Sequence, residues 1–299
     1  MELWPFLAAK AFRFEYGQRE IIFYYDSSPS DEQSLGQPSS RHTFVLIHGL
    51  GDEADSWRYI IPLLNERGSR ALAMDLPGFG RSVTRKKISV KNHAVAVTKL
   101  LEKALPGDEV FLVGSSLGAL VAESVAFQRP DLVKGIILID GGIPGGPSRS
   151  GFFALFRLLF SRKWYRDFRH DPEGAWASLY PYYADLDNMS TEDKVFLRQR
   201  VMERVNSSTQ EDAFFATQRS IVWNYLTKAS AYARKVGNYS GKILLIWGER
   251  DKIIPFSVAK AFKTLRSDIS LEVIPGAGHL PQQEKPEETA QLMADFVNA

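Results

Sequence analysis

Gly114-Ser115-Ser116-Leu117-Gly118 sets a serine between small residues two before and two after it. An apolar run, Glu109 to Gly114, precedes it, and a helical pattern from Leu117 to Gln128 follows. A sharp strand-to-helix turn strains the backbone at its central residue and leaves no room for bulk at its flanks, so this spacing can hold up a serine hydroxyl as a nucleophile. In that geometry the Leu117 N–H, at the helix N-terminus, points at developing negative charge. An alcohol needs a base to take its proton. The five histidines are His42, His48, His93, His170 and His279. His279 lies in Pro275-Gly-Ala-Gly-His-Leu-Pro281, a glycine-rich loop after the last strand-like run, a suitable mount for an exposed imidazole that must reach across to the serine. His93 and His170 read as ordinary surface residues, and His48 as a structural hydrogen-bonding residue.

A histidine base needs a carboxylate to fix its tautomer. Asp251, in Trp247-Gly-Glu-Arg-Asp251, follows another strand-like run and completes the chain order Ser116, Asp251, His279. Its competitors are Asp140, at the end of an earlier run and equally readable as a carboxylate satisfied by loop amides, and Glu249. A second oxyanion donor is expected from the loop His48-Gly-Leu-Gly51, with the Leu50 N–H as candidate. Asp75, in the Gly-rich turn Asp75-Leu-Pro-Gly-Phe-Gly-Arg-Ser82, reads as structural.

These residues need elements to carry them. Short apolar runs at 43–47, 70–74, 109–114, 135–139, 242–247 and 270–274 end at or near Gly or Asp and read as strands buried on both faces. Helical segments such as Val90 to Leu105 alternate with them. Such alternation predicts a mostly parallel sheet covered by helices on both faces, with active sites at the carboxyl ends of the strands. Arg13–Gly17 and Glu20–Asp26 read as a hairpin, and Asp26–Arg41, rich in Ser, Pro, Gln and Asp, as a long surface loop. From Ile143 to Asn238 the alternation stops. Only helical patterns and many aromatics occur there, with Ser190-Thr-Glu-Asp193 as an N-cap signal.

The 299 residues carry 37 Lys+Arg against 35 Asp+Glu, a net charge of +2. That balance offers no broad footprint for nucleic acid, and a 44% hydrophobic chain can build a sizeable core. Zero cysteines remove thiol nucleophiles and Cys-based metal sites. No apolar run reaches bilayer length. The start is apolar but opens with Glu2 and is broken by Pro5, so a signal peptide is not expected and the cytoplasm is the default location. Trp4, Phe6 and Leu7, or the apolar and basic stretch around Gly151–Phe160, could make a weak membrane-surface contact; packing against the protein body is the favoured expectation. Oligomeric state is not legible.

His48-Gly49, the Asp75–Ser82 turn, the serine turn, Gly248-Glu-Arg-Asp251 and Gly278-His279 occur in the order in which the α/β-hydrolase fold family carries them, and over most of its length the chain resembles that family. The resemblance implies an eight-stranded, mostly parallel sheet, with residues 1–142 and 239–299 as the core and 143–238 as a helical cap over the active site. It implies acyl transfer without a metal or organic cofactor. Ser116 stands where dehalogenases and epoxide hydrolases of the family carry Asp, which argues against those branches. The leading expectation is a carboxylesterase or acylglycerol lipase acting on a small-molecule ester with an apolar acyl group. Carbon–carbon bond hydrolysis, proline release, perhydrolysis, or a low-turnover ligand receptor on the same scaffold are the alternatives.

Overall fold

The computed structural model describes residues 9–27, 42–145 and 161–298. The N-terminal Trp4, Phe6 and Leu7, most of the Ser/Pro-rich loop, and Gly151–Phe160 lie outside the described residues. The strands are β1 (Lys10–Gly17), β2 (Glu20–Asp26), β3 (Thr43–Ile47), β4 (Arg70–Met74), β5 (Val110–Ser115), β6 (Gly135–Ile139), β7 (Lys242–Gly248) and β8 (Ser270–Ile274). They form one sheet in the order β1-β2-β4-β3-β5-β6-β7-β8. Strands β3 to β8 are mutually parallel, and the β1–β2 hairpin joins them antiparallel through β4.

The side-chain period of two explains the continuous apolar runs. Val45, Ile47, Leu112, Ile136 and Leu245 face one core, while Phe44, Leu46, Phe111, Ile137 and Ile246 face the other. The first core is covered by helices α2 (Val90–Ala104) and α3 (Leu117–Ala126), which follow α1 (Ile60–Glu66) in the chain. Helix α1 covers the second core. The double burial expected of every run fails at the rim. β8 is an edge strand with exposed residues at Ser270, Glu272 and Val273, because its outer side has no strand beyond it.

Between β6 and β7 the described chain is helical: α4 (Arg162–Asp167), α5 (Pro172–Ala177), α6 (Thr191–Asn206) and α7 (Ser208–Asn238). Ser190 Oγ accepts from Asp193 N at 3.1 Å and starts α6, as its sequence signal predicts. After β7 come α8 (Ser257–Leu265), α9 (Pro281–Glu284) and α10 (Pro286–Asn298), the last packing beside α1. Among the described residues no helix is long and apolar enough to cross a membrane. Three of the basic residues that follow Gly151–Phe160 in the sequence, Arg162, Arg166 and Arg169, converge on the buried Glu211 of α7 as ion pairs.

His93 departs from its expected surface role. It is fully buried on α2, its Nε2 lies 3.0 Å from Thr217 Oγ1 of α7, and burial followed by the nearby His48 pushes its pKa down to about 3. The helical pattern located α2 but not the helix that covers it. Because the unfolded chain takes up this proton near pH 6.5 and the folded one does not, stability falls as pH drops from about 6.5 toward 3. Melting temperatures measured from pH 7 to 4 should therefore decline less steeply in His93→Gln than in the native chain.

Candidate active site

Ser116 closes β5 and opens α3 with φ 53° and ψ −111°, a left-handed conformation that a non-glycine residue adopts only under constraint. Its N–H donates to Ile139 O at 2.9 Å. The flanking glycines are required by contact. A Cβ on Gly118 would lie 2.1 Å from Ile47 O, and one on Gly114 would lie 2.2 Å from Gly118 C and O. Gly118→Ala is expected to destabilise the fold by about 1–3 kcal/mol, visible as a lower urea midpoint with an unchanged m-value.

His279 sits in the loop between β8 and α9. It is not the exposed imidazole that its glycine-rich setting suggests, being only 1% accessible. Its backbone N–H donates to Tyr182 O of the β6–β7 insertion at 2.8 Å, and the Tyr182 ring lies 5.8 Å from the imidazole, so the insertion covers it. Glu284 braces the loop, accepting Gly278 N and Ala184 N, both at 2.8 Å. Glu249 accepts Gly276 N at 2.9 Å and is a further brace, away from the imidazole contact.

Asp251 follows β7. Its Oδ1 accepts the N–H groups of Ile253 and Ile254 at 2.7 and 3.1 Å, and its Oδ2 lies 2.9 Å from His279 Nδ1. A carboxylate can only accept, so the ring proton sits on Nδ1 and Nε2 keeps its lone pair, the tautomer a general base needs. Ser116 and His279 line one cavity of about 140 Å³. Ser116 and Asp251 stand 163 and 28 positions before His279 in the chain, and the strand ends bring the three to one side of the sheet.

Asp140, the rival to Asp251 that could equally be a carboxylate satisfied by loop amides, is fully buried at φ 45°, and among the described residues one backbone amide, Gly248 N, bonds its carboxyl, at 3.0 Å from Oδ1 and 3.3 Å from Oδ2. Burial first, then the adjacent Asp251 charge, push its pKa well above the carboxylate range. One ligand atom each of Asp140, Asp251 and His279 lie within 4.8 Å of one another, a spacing also compatible with a metal. With Nδ1 tied to Asp251 Oδ2, the set is organised as a hydrogen-bond chain.

The loop after β3 runs past the nucleophile. A Cβ on Gly49 would lie 3.5 Å from Ser116 Cβ, and Leu50 lines the same cavity. Neither the Leu50 N–H nor the Leu117 N–H has an acceptor among the described residues. His48 shapes this loop from within, its Nδ1 2.7 Å from Gly49 O and its Nε2 accepting Leu76 N at 2.9 Å; burial lowers its pKa and keeps it neutral. Asp75 is structural as expected, accepting Ala54 N and Arg81 N, both at 2.7 Å.

The sequence reading missed the residues that hold this loop to the insertion. Arg204 of α6 lines the cavity, and its Nη2 lies 2.9 Å from both Asp52 Oδ1 and Glu53 Oε1. Burial alone would raise the Glu53 carboxyl, but Arg204, Arg200 and Arg81 together hold it below its usual range. Buried Arg58 reaches Asp193 of the same helix at 2.8 Å. Gln282 and Gln283, just after His279, bond Ser115 Oγ at 3.2 Å and Ser56 Oγ at 2.8 Å. Charged residues spaced along a helix ordinarily read as a solvated face, so only the fold exposes these partners.

Residues 44–292 match the family model described as the alpha/beta hydrolase family. The chain is 26% identical over 263 residues to the uncharacterized hydrolase YugF of Bacillus subtilis, covering 87% of this chain and 92% of that protein. It is 25% identical over 298 residues to a 2-hydroxy-6-oxononadienedioate/2-hydroxy-6-oxononatrienedioate hydrolase of Pseudomonas putida, covering 97% and 96%. Among solved structures, a putative lipase from Acinetobacter baumannii superposes with a TM-score of 0.77 at 20% identity, covering 97% of this chain and 91% of that one. With its eight-stranded sheet and a match over most of its length, the chain belongs to the alpha/beta hydrolase family and is a hydrolase of that fold.

Proposed function

We propose that this protein is a serine hydrolase that cleaves carboxylic esters with an apolar acyl group. The observation that carries the reading is the cavity itself. Ser116 and the Asp251-bonded His279 both line it, under walls supplied by Phe168, Leu179, Leu197, Val201 and Phe214 of the insertion, which acts as a cap. Ser116 Oγ attacks the ester carbonyl while His279 Nε2 takes its proton, and the Leu50 and Leu117 N–H groups stabilise the oxyanion. His279 then returns the proton to the leaving alcohol. Water, activated by the same imidazole, hydrolyses the acyl-Ser116, with Asp251 holding the ring throughout. Apolar walls favour an acyl chain over a charged group, since they cannot compensate a desolvated charge.

Turnover of p-nitrophenyl esters should depend on acyl length, rising and then falling as the cavity fills. Flat, slow rates across the series, together with tight ligand binding, would instead indicate a receptor.

One observation supports a second reading, carbon–carbon bond hydrolysis. Arg204 reaches the cavity with its Nε buried and without an acceptor, and a dienedioate of the kind named for the Pseudomonas putida relative carries carboxylates. Its Nη2 is already committed to Asp52 and Glu53, which leaves less charge for a substrate and ranks the ester first.

A further inference from the structure

We propose that Asp140 is a positioning residue of this site, a neutral carboxylic acid that donates its proton to Asp251, so that the two side chains share one negative charge behind His279. The inference rests on the hydrolase reading above and adds a fourth member to its proton chain.

The geometry leaves few other options. Asp140 is 0% accessible, follows β6, and lies close to Asp251 of the loop after neighbouring β7. Its backbone is anchored, with its N–H donating to Ile246 O at 3.0 Å, and its φ of 45° turns the chain sharply at the sheet edge. Gly248 N supplies the carboxyl with one hydrogen bond. The charged groups that act on it are the carboxylates of Asp251, from the loop after β7, and Glu284, from α9. His279, from the loop after β8, completes the cluster. Two carboxylates this close in a buried site cannot both ionise at neutral pH, and one retains a proton. The shared proton is placed on Asp140 because Asp251 accepts two backbone N–H groups and faces the imidazole Nδ1, whereas Asp140 has a single backbone donor among the described residues. The shared proton gives Asp251 a further donor, and Oδ2 is thereby held on the ring nitrogen.

The pair is titrated as a unit, so variants must separate charge from hydrogen bonding. Asp140→Asn keeps the shape and an N–H donor and tolerates a left-handed φ; Asp140→Gly removes the side chain and tolerates the same backbone. In the native enzyme, acting on the best ester of the p-nitrophenyl series, Asp140→Asn should keep kcat within about threefold, whereas Asp140→Gly should lose about tenfold or more in kcat with KM little changed. The acidic midpoint of the kcat/KM profile should be the same in the native enzyme and Asp140→Asn, since both carry one charge beside His279. A midpoint that drops by half a unit or more in Asp140→Asn would mean Asp140 is ionised, and equal losses in both variants would mean the donor does nothing; either result overturns the proposal. A readout independent of turnover is the infrared difference spectrum, native minus Asp140→Asn at pH 7, expected to hold the carbonyl band of one protonated carboxylic acid; subtraction removes the contribution of Glu123, whose carboxyl burial also raises. Its absence from the difference spectrum would defeat this inference while leaving the ester-hydrolase reading intact. A band that persists in folded protein inactive on every ester would leave this assignment standing and defeat the other.

Discussion

Ser116→Ala is expected to lower kcat/KM by at least about 10⁴-fold on any ester that the native protein turns over, and to abolish labelling by a fluorophosphonate. The size of the effect follows from the geometry. The hydroxyl sits on a strained turn in the cavity that His279 also lines, and the Asp251 contact fixes the tautomer of that imidazole. Removing one oxygen from a partly exposed side chain costs little stability, and relief of the polar group at φ 53° does not alter the packing of Gly114 and Gly118 around it. A loss of activity with an unchanged thermal melt would thus locate the defect in chemistry. Ester turnover within tenfold of native in Ser116→Ala would refute the nucleophile assignment.

Asp251→Asn should follow with a fall of about 10⁴-fold in kcat and a KM within a few-fold of native. An amide in place of the carboxylate can present its NH2 to His279 Nδ1, which then must accept; Nε2 would carry the proton and cease to be a base. The two N–H groups of Ile253 and Ile254 also favour an oxygen at Oδ1, which directs the amide nitrogen toward the imidazole. Deprotonated Nδ1 with protonated Nε2 is the wrong tautomer for attack by Ser116. Rates within tenfold of native would mean that the Asp251–His279 contact orients nothing that matters in the transition state.

How much of this was legible in the sequence depends on range. The serine turn was readable because its demands are local: Gly114 and Gly118 are forced by contacts of their own turn and of β3. The strands were readable because a run such as Phe44-Val-Leu-Ile47 can alternate between two apolar cores only if it is buried on both faces. Asp251 and His279 were found by chain order, and their 2.9 Å contact is a product of the parallel sheet placing β7 and β8 side by side. Burial was poorly legible wherever a distant element supplies it. His93 looked exposed because Thr217, its partner, lies 124 residues away on α7, and His279 looked exposed because Tyr182 comes from the insertion. The same holds for Arg204, whose partners Asp52 and Glu53 belong to the loop after β3. An isolated charge on a helix does not announce a partner 151 residues away. Asp140 was noticed as a rival to Asp251, but its neutral state depends on a neighbour that only the sheet order brings near.

If Ser116 forms a covalent acyl intermediate with His279 as its base, a fluorophosphonate will mark that serine and depend on that histidine. Peptide mass mapping after reaction with the reagent reads both, with the native chain and His279→Ala run in parallel. One adduct per native molecule is expected, confined to Ser116, with labelling slowed by at least about 10³-fold in His279→Ala. An adduct on another residue, or equally fast labelling without His279, would contradict it.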